Sequence, residues 1–113
     1  MPQIEISAVA SNGGTVHVVE VDGPLELPTV PVLRRELKRL TENGAGRLLL
    51  DLTSVDFIDL AGVAALYRAG LAARAVAIAV PTGSQPARTL ALCRLDPTIP
   101  AFPDRAEALA ALT

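Results

Sequence analysis

LLLDLTSVDFIDLAGVAAL, residues 48–66, is the stretch whose reading decides the fold, and its centre is the turn Asp59-Leu60-Ala61-Gly62. Leu48, Leu49, Leu50 and Leu52 form an aliphatic run that does not alternate with polar residues, the pattern of a strand buried on both faces. Val55, Phe57 and Ile58 carry the chain to Asp59, a residue type favoured at helix N-caps because its carboxylate accepts an otherwise free backbone N–H. Val63, Leu66 and Tyr67 follow at helical spacing. A strand that feeds a helix through a short acidic turn gathers free N–H groups and the positive end of the helix dipole at one surface point. Such a point suits an anion or a partner.

The rest of the chain supplies a frame for that unit. Residues 4–9 and 15–21 read as strands around Ser11-Asn12-Gly13-Gly14, in which Asn-Gly is a strong hairpin signal, and Asp22-Gly23-Pro24 ends the second. From Thr29, the expected N-cap, Val30, Leu33, Leu37 and Leu40 form an apolar helical stripe. Pro31 falls in its first turn, and Asn43-Gly44 is a left-handed stop. The residue 47–52 strand and the Asp59 helix, to about residue 73, come next. Residues 75–80 make a wholly apolar strand closed by Pro81-Thr82-Gly83, and residues 85–94 a short helix. Pro97-Thr98-Ile99-Pro100 breaks the chain beside a short last strand, and Asp104 opens a closing helix through Leu112. The order implies one α/β domain over residues 1–113. Its small mixed sheet has an antiparallel N-terminal hairpin, parallel central strands and right-handed crossovers.

Composition excludes several classes of function. Half of the residues are hydrophobic, which supports a packed core rather than disorder. Aromatic residues make up only 3% with no Trp, too few to build a stacking platform for single-stranded nucleic acid. Net charge is −2 with both signs interspersed, so no footprint for a nucleic-acid backbone is present. The basic cluster Arg34, Arg35, Lys38 and Arg39 falls on one helix and reads first as its solvated face. The single Cys permits no internal disulfide, in keeping with a reducing cytoplasm. Met1-Pro2-Gln3-Ile4-Glu5 shows no signal-peptide pattern, and no apolar run reaches the ~18 residues that span a bilayer. A cytoplasmic protein without direct membrane insertion is expected.

DLTSVDFIDLAG, residues 51–62, resembles the STAS domain (sulfate transporter and anti-sigma factor antagonist) segment D-L-S-x-V-x-F-I-D-S-S-G. The likeness extends to Gly23-Pro24-Leu25-Glu26, similar to the family's G-x-L-D turn, and to Pro31-x-Leu33 with Leu37. It continues through Leu92-Cys93-Arg94-Leu95-Asp96, Phe102 and Ala106-Glu107-Ala108-Leu109. The resemblance implies a small sheet with helices packed mainly on one face, whereas the strand pattern alone leaves open whether both faces are covered. It also implies that the G-x-L-D loop and the D-S-S-G turn lie side by side and meet an anti-sigma factor. Carried over residue by residue, the contact residues are Glu26, Asp59, Leu60, Ala61 and Gly62. In the family's bacterial antagonists the second Ser of D-S-S-G accepts phosphate from a kinase-like anti-sigma factor. Ala61 stands at that position and has no hydroxyl, and Glu26 stands where Asp is typical.

The residues offer no catalytic constellation. Asp51, Asp56 and Asp59 lie along an extended segment without a base, nucleophile or metal partner, and His17 has no second His or Cys near it. Pro81-Thr82-Gly83-Ser84 is a turn and not a phosphate cradle. Thr53 and Ser54 are the hydroxyls nearest the turn, and read as strand-end residues before substitute phosphoacceptors. Cys93 reads as a buried small hydrophobe. Leu60 either tucks under the neighbouring loop or offers an apolar contact, and Gly62 serves either close packing or function. The expectation is a non-enzymatic protein-binding module without cofactor or metal. Its partner would be an anti-sigma factor or, alternatively, the ATPase subunit of an ABC-type transporter.

Overall fold

The computed structural model describes residues 3–11, 13–94 and 99–113. Its elements run β1 (Gln3–Ser11), β2 (Gly14–Asp22), α1 (Val30–Glu42), β3 (Arg47–Ser54) and α2 (Leu60–Ala72). They continue with β4 (Ala75–Ala79), α3 (Gln85–Cys93), β5 (Ala101–Phe102) and α4 (Arg105–Leu112). The strands make one sheet in the order β1-β2-β3-β4-β5, antiparallel between β1 and β2 and parallel elsewhere. Ser11 pairs with Gly14 across the hairpin. The Asn12 half of the expected Asn-Gly turn lies outside the described residues, as do Leu95-Asp96 and Pro97-Thr98 further on.

Strand alternation sorts the side chains between two unequal layers. Leu48, Leu50 and Leu52 of β3 join Val19, Val21, Val76 and Ile78 on one face, which α1, α2 and α3 cover through Leu33, Leu37, Leu66 and Leu90 among others. Leu49 faces the other way with Val16, Val18 and Ala77, where Ala108, Leu109 and Leu112 of α4 meet it. The helices therefore pack mainly on one face, with α4 alone on the second. Each buried Leu contributes ~1.5–3 kcal/mol of transfer free energy, so β3, apolar on both sides, anchors both layers. Gly44, at φ +89°, takes the left-handed conformation expected of the α1 stop. Among the described residues no helix is long and apolar enough to cross a membrane.

Asp51 breaks the apolar run of β3 and is only 2% exposed. It shares the parity of Leu49 and so faces α4, where Nε of Arg105 donates to Oδ2 at 2.7 Å. The same guanidinium also pairs with Glu20, which lies opposite Asp51 on β2. Thr53 closes the other side, its amide and hydroxyl donating to Asp51 Oδ1 at 2.9 and 2.7 Å. Burial alone would raise the Asp51 pKa. The Thr53 hydrogen bonds and the Arg105 guanidinium outweigh it and hold the carboxyl below its ordinary value.

That depression fixes a pH dependence. An Asp in the unfolded chain titrates near ~3.9, so the stability contributed by this cluster is full above that pH and drains away as pH falls through the lower native value. Denaturant melts from about pH 6 down to about pH 2 should show wild type losing stability more steeply than Asp51→Asn. Parallel curves for the two proteins would contradict this.

Candidate functional site

The site is built where β2 and β3 keep their parallel partnership beyond the sheet. Past the strand ends, the Gly23 amide donates to Ser54 O at 3.4 Å and the Leu25 amide to Phe57 O at 2.9 Å. The Asp59 amide returns a bond to Leu25 O at 3.2 Å, which leaves Leu25 and Ile58 as an isolated parallel bridge. Both of their side chains are buried. The loop that contains Glu26 and the Asp59 turn thus lie side by side at the carboxyl ends of two central strands, where open α/β sheets commonly bind ligands.

Asp59 ties the pair together. Its Oδ1 accepts the Gly62 amide at 2.9 Å, the N-cap bond its residue type predicts. Its Oδ2 accepts the Leu27 amide, also at 2.9 Å, from the adjacent loop. One carboxylate therefore caps α2 and fixes the neighbouring connection. Gly62 belongs to the same construction. A Cβ there would lie 2.5 Å from Leu25 O and 2.6 Å from Ile58 Cγ1, so its role in the geometry is close approach of the two segments.

One support carried no sequence signal, and another took a role its signal did not describe. Gln85, the first residue of α3, accepts from the Ile58 amide at 2.9 Å and donates to Ile58 O at 3.0 Å. An amide side chain thereby imitates a third strand, and a lone Gln in a sequence does not announce such a role. Thr29 stands at the N-cap of α1 as expected, but its side chain makes no cap bond. Its hydroxyl shares its one proton between the Pro24 and Glu26 carbonyls, at 2.9 and 3.0 Å, and accepts from the Glu26 amide at 3.0 Å. Thr29 therefore holds the loop closed from the N-cap position, through bonds to the loop and not to the helix amides.

Several apolar side chains stand exposed around this frame. Leu60 is 73% exposed and Leu27 70% exposed, so Leu60 does not tuck under the neighbouring loop. Helical spacing puts Leu60, Ala64, Tyr67 and Leu71 on one outward stripe of α2, a helix in which Arg68 is the sole charged residue. Tyr67 shares the spacing of Val63 and Leu66 in the sequence, yet it lies on the exposed side while they are buried. Ala61 is half-buried against the core. Glu26 is half-buried, and among the described residues its carboxylate joins no ion pair.

The remaining candidates lie apart. Asp51 faces α4, Asp56 is exposed and Asp59 is the cap, so the three carboxylates do not converge. The Thr53 hydroxyl is engaged by Asp51. Cys93 is half-buried against the larger core. Among the described residues no three His, Cys, Asp or Glu side chains come close enough to hold a metal ion.

The STAS domain family model matches residues 7–108, and the chain belongs to that family. Among curated protein sequences none matches closely. Solved structures share the fold. An anti-sigma factor antagonist from Mycobacterium paratuberculosis superposes with a TM-score of 0.82 at 24% identity, over 97% of this chain and 94% of that one. The phosphorylated form of the Bacillus cell fate determinant SpoIIAA superposes with a TM-score of 0.66 at 15% identity, over 98% and 100% of the two chains. The murine anion transporter Slc26a9 contains a similar region, with a TM-score of 0.61 at 21% identity over 86% of this chain and 17% of the transporter.

The double bond of Asp59 can be tested by substitution. Asp59→Asn keeps one acceptor oxygen and can serve one amide, while Asp59→Ala serves neither. Urea denaturation should rank wild type above Asp59→Asn above Asp59→Ala, the last losing about 1–3 kcal/mol. If Asp59→Asn matches wild type, the Leu27 bond contributes nothing.

Proposed function

We propose that this chain works as a single STAS domain that binds a protein and catalyses no reaction. The reading is of an anti-sigma factor antagonist in the cytoplasm, occupying an anti-sigma factor and so releasing the sigma factor for transcription. The contact residues are Glu26, Asp59, Leu60, Ala61 and Gly62, to which the exposed Leu27 is added. The observation that carries this reading is the combination of a fixed backbone with an uncovered apolar surface. Leu27 and Leu60 stand open on a loop pair locked by hydrogen bonds, and a monomeric domain gains nothing by exposing them. A surface fixed in advance loses little conformational entropy on docking.

A phosphate at the family's serine would add about −1.5 to −2 charges to the contact. With Ala61 no phosphate can be carried there, so the interaction is governed by the supply of partner. The likeness to a region of Slc26a9 supports a second reading, in which the same face meets a transporter subunit such as the ATPase of an ABC-type system.

Charge introduced at the turn separates docking from folding. Leu60→Asp and Ala61→Asp place a carboxylate in the first turn of α2, where the dipole favours it by ~0.3–1 kcal/mol. In a complex the same carboxylate must be desolvated without a partner, which costs orders of magnitude in affinity even at ~3 kcal/mol. Calorimetry with the anti-sigma factor, and in parallel with a transporter ATPase, should show Ala61→Ser binding like wild type and both Asp variants binding far more weakly. Circular dichroism melts establish that all variants are folded. Leu60→Asp bound as tightly as wild type would remove the turn from the interface.

A further inference from the structure

Away from the Asp59 turn, α1 and α2 leave an open groove of about 470 Å³ between them. Its buried base is apolar, made by Leu37 of α1 and by Ala65 and Ala69 of α2, with Pro31 and Ala72 at its edges. Its walls carry Arg34, Arg35 and Lys38 from one helix and Arg68 from the other, and no acidic residue lines it. This gathering of positive charge runs against the net charge of −2. Among the described residues none of the four cations joins an ion pair. Glu36, the acid nearest in sequence, is taken by Arg39 at 2.7 Å, and Arg105 serves Asp51 and Glu20 on the far side of the sheet. Like charges at i, i+3 and i, i+4 repel on a helix, so Arg34, Arg35 and Lys38 cost stability there, with Glu36 and Glu42 the only acids of α1 to offset them. A solvated helix face, the plain reading of this cluster in the sequence, does not account for Arg68 meeting it across an apolar trough.

We infer that the α1–α2 groove is a second docking surface, and that its occupant is an acidic amphipathic helix of a partner protein. An apolar trough between two helices accepts the apolar stripe of a third, and cations on both walls match acids flanking that stripe. Other occupants fit less well. No aromatic side chain lines the groove to stack a nucleobase. It also runs along the flanks of the helices, where backbone N–H groups are already bonded and none is free for a phosphate. A flat lipid surface does not reach a concave floor. A second copy of this chain has no suitable helix, because α2 and α3 carry no acid, α4 carries only Glu107, and α1 is itself basic.

The test uses a fluorescein-labelled model peptide of about 18 residues, with Leu at i, i+3, i+4 and i+7 and Glu on both flanks, and a counterpart with Lys for Glu. Anisotropy should show saturable binding of the Glu peptide that weakens as salt is raised. The double reversal Arg34→Glu with Lys38→Glu should weaken it by about tenfold or more and give the Lys peptide the affinity the Glu peptide has lost. Both substitutions are on the exposed face of α1. Should they lower the melting temperature, Arg34→Ala with Lys38→Ala provides the same loss without reversal. Leu60→Asp should leave peptide binding unchanged, which separates this groove from the turn. Absence of saturable binding, or equal binding by the double reversal, would overturn the inference. So would displacement of the Glu peptide by GTP or by phosphatidylglycerol vesicles, which would assign the groove to a small anion or to a membrane.

Discussion

One carboxylate holds the paired loops at the carboxyl ends of β2 and β3 together. Asp59 accepts the Gly62 amide with one oxygen and the Leu27 amide with the other, so the cap of α2 and the position of the preceding connection are a single interaction. Everything nearby depends on that coincidence. Gly62 must lack a side chain because the Leu25 carbonyl passes over it, and the Leu25–Ile58 bridge stays in register because Asp59 is fixed. A rigid patch of backbone results at the ends of two parallel strands, without any catalytic group being needed to explain it.

The two faces of the sheet divide the electrostatics. Toward α4 the charges are engaged, with Asp51 buried beneath Arg105 and Glu20 beside it. Toward α1 and α2 the core is wholly aliphatic, and the outer side of α2 continues that character into solvent through Leu60, Tyr67 and Leu71. A helix apolar all round is ordinarily buried. Here half of it is uncovered, which is the physical reason for regarding this side of the molecule as one that meets another protein.

Much of this was legible in the sequence, because the controlling signals are local. The run from Leu48 to Leu52 reads as a buried central strand, Asp59 before a helical pattern is a cap, and Gly44 stops α1 as its residue type predicts. The mixed sheet follows from one hairpin and two apolar strands with helices between them. What escaped depends on distant partners. The Thr29 hydroxyl turned to the Pro24 and Glu26 carbonyls because the closed loop brought them within reach, in place of the helix end. Gln85 found Ile58 across 27 positions of chain, and Arg105 found Asp51 across 54. Tyr67 has the spacing of a core residue but falls where α2 turns outward, a fact settled by how the helix is rolled on the sheet and not by its periodicity.

The central claim is that the paired loops, fixed by Asp59, are the face this protein presents to its partner. Hydrogen–deuterium exchange of the chain alone and in complex with an anti-sigma factor tests it most directly. The account predicts that the amides of Leu27 and Gly62 exchange slowly in the free protein, being bonded to Asp59. It predicts further protection on binding across residues 25–27 and 59–63. Fast exchange of both amides in the free protein, or protection confined to α4 and the β1 edge, would contradict it.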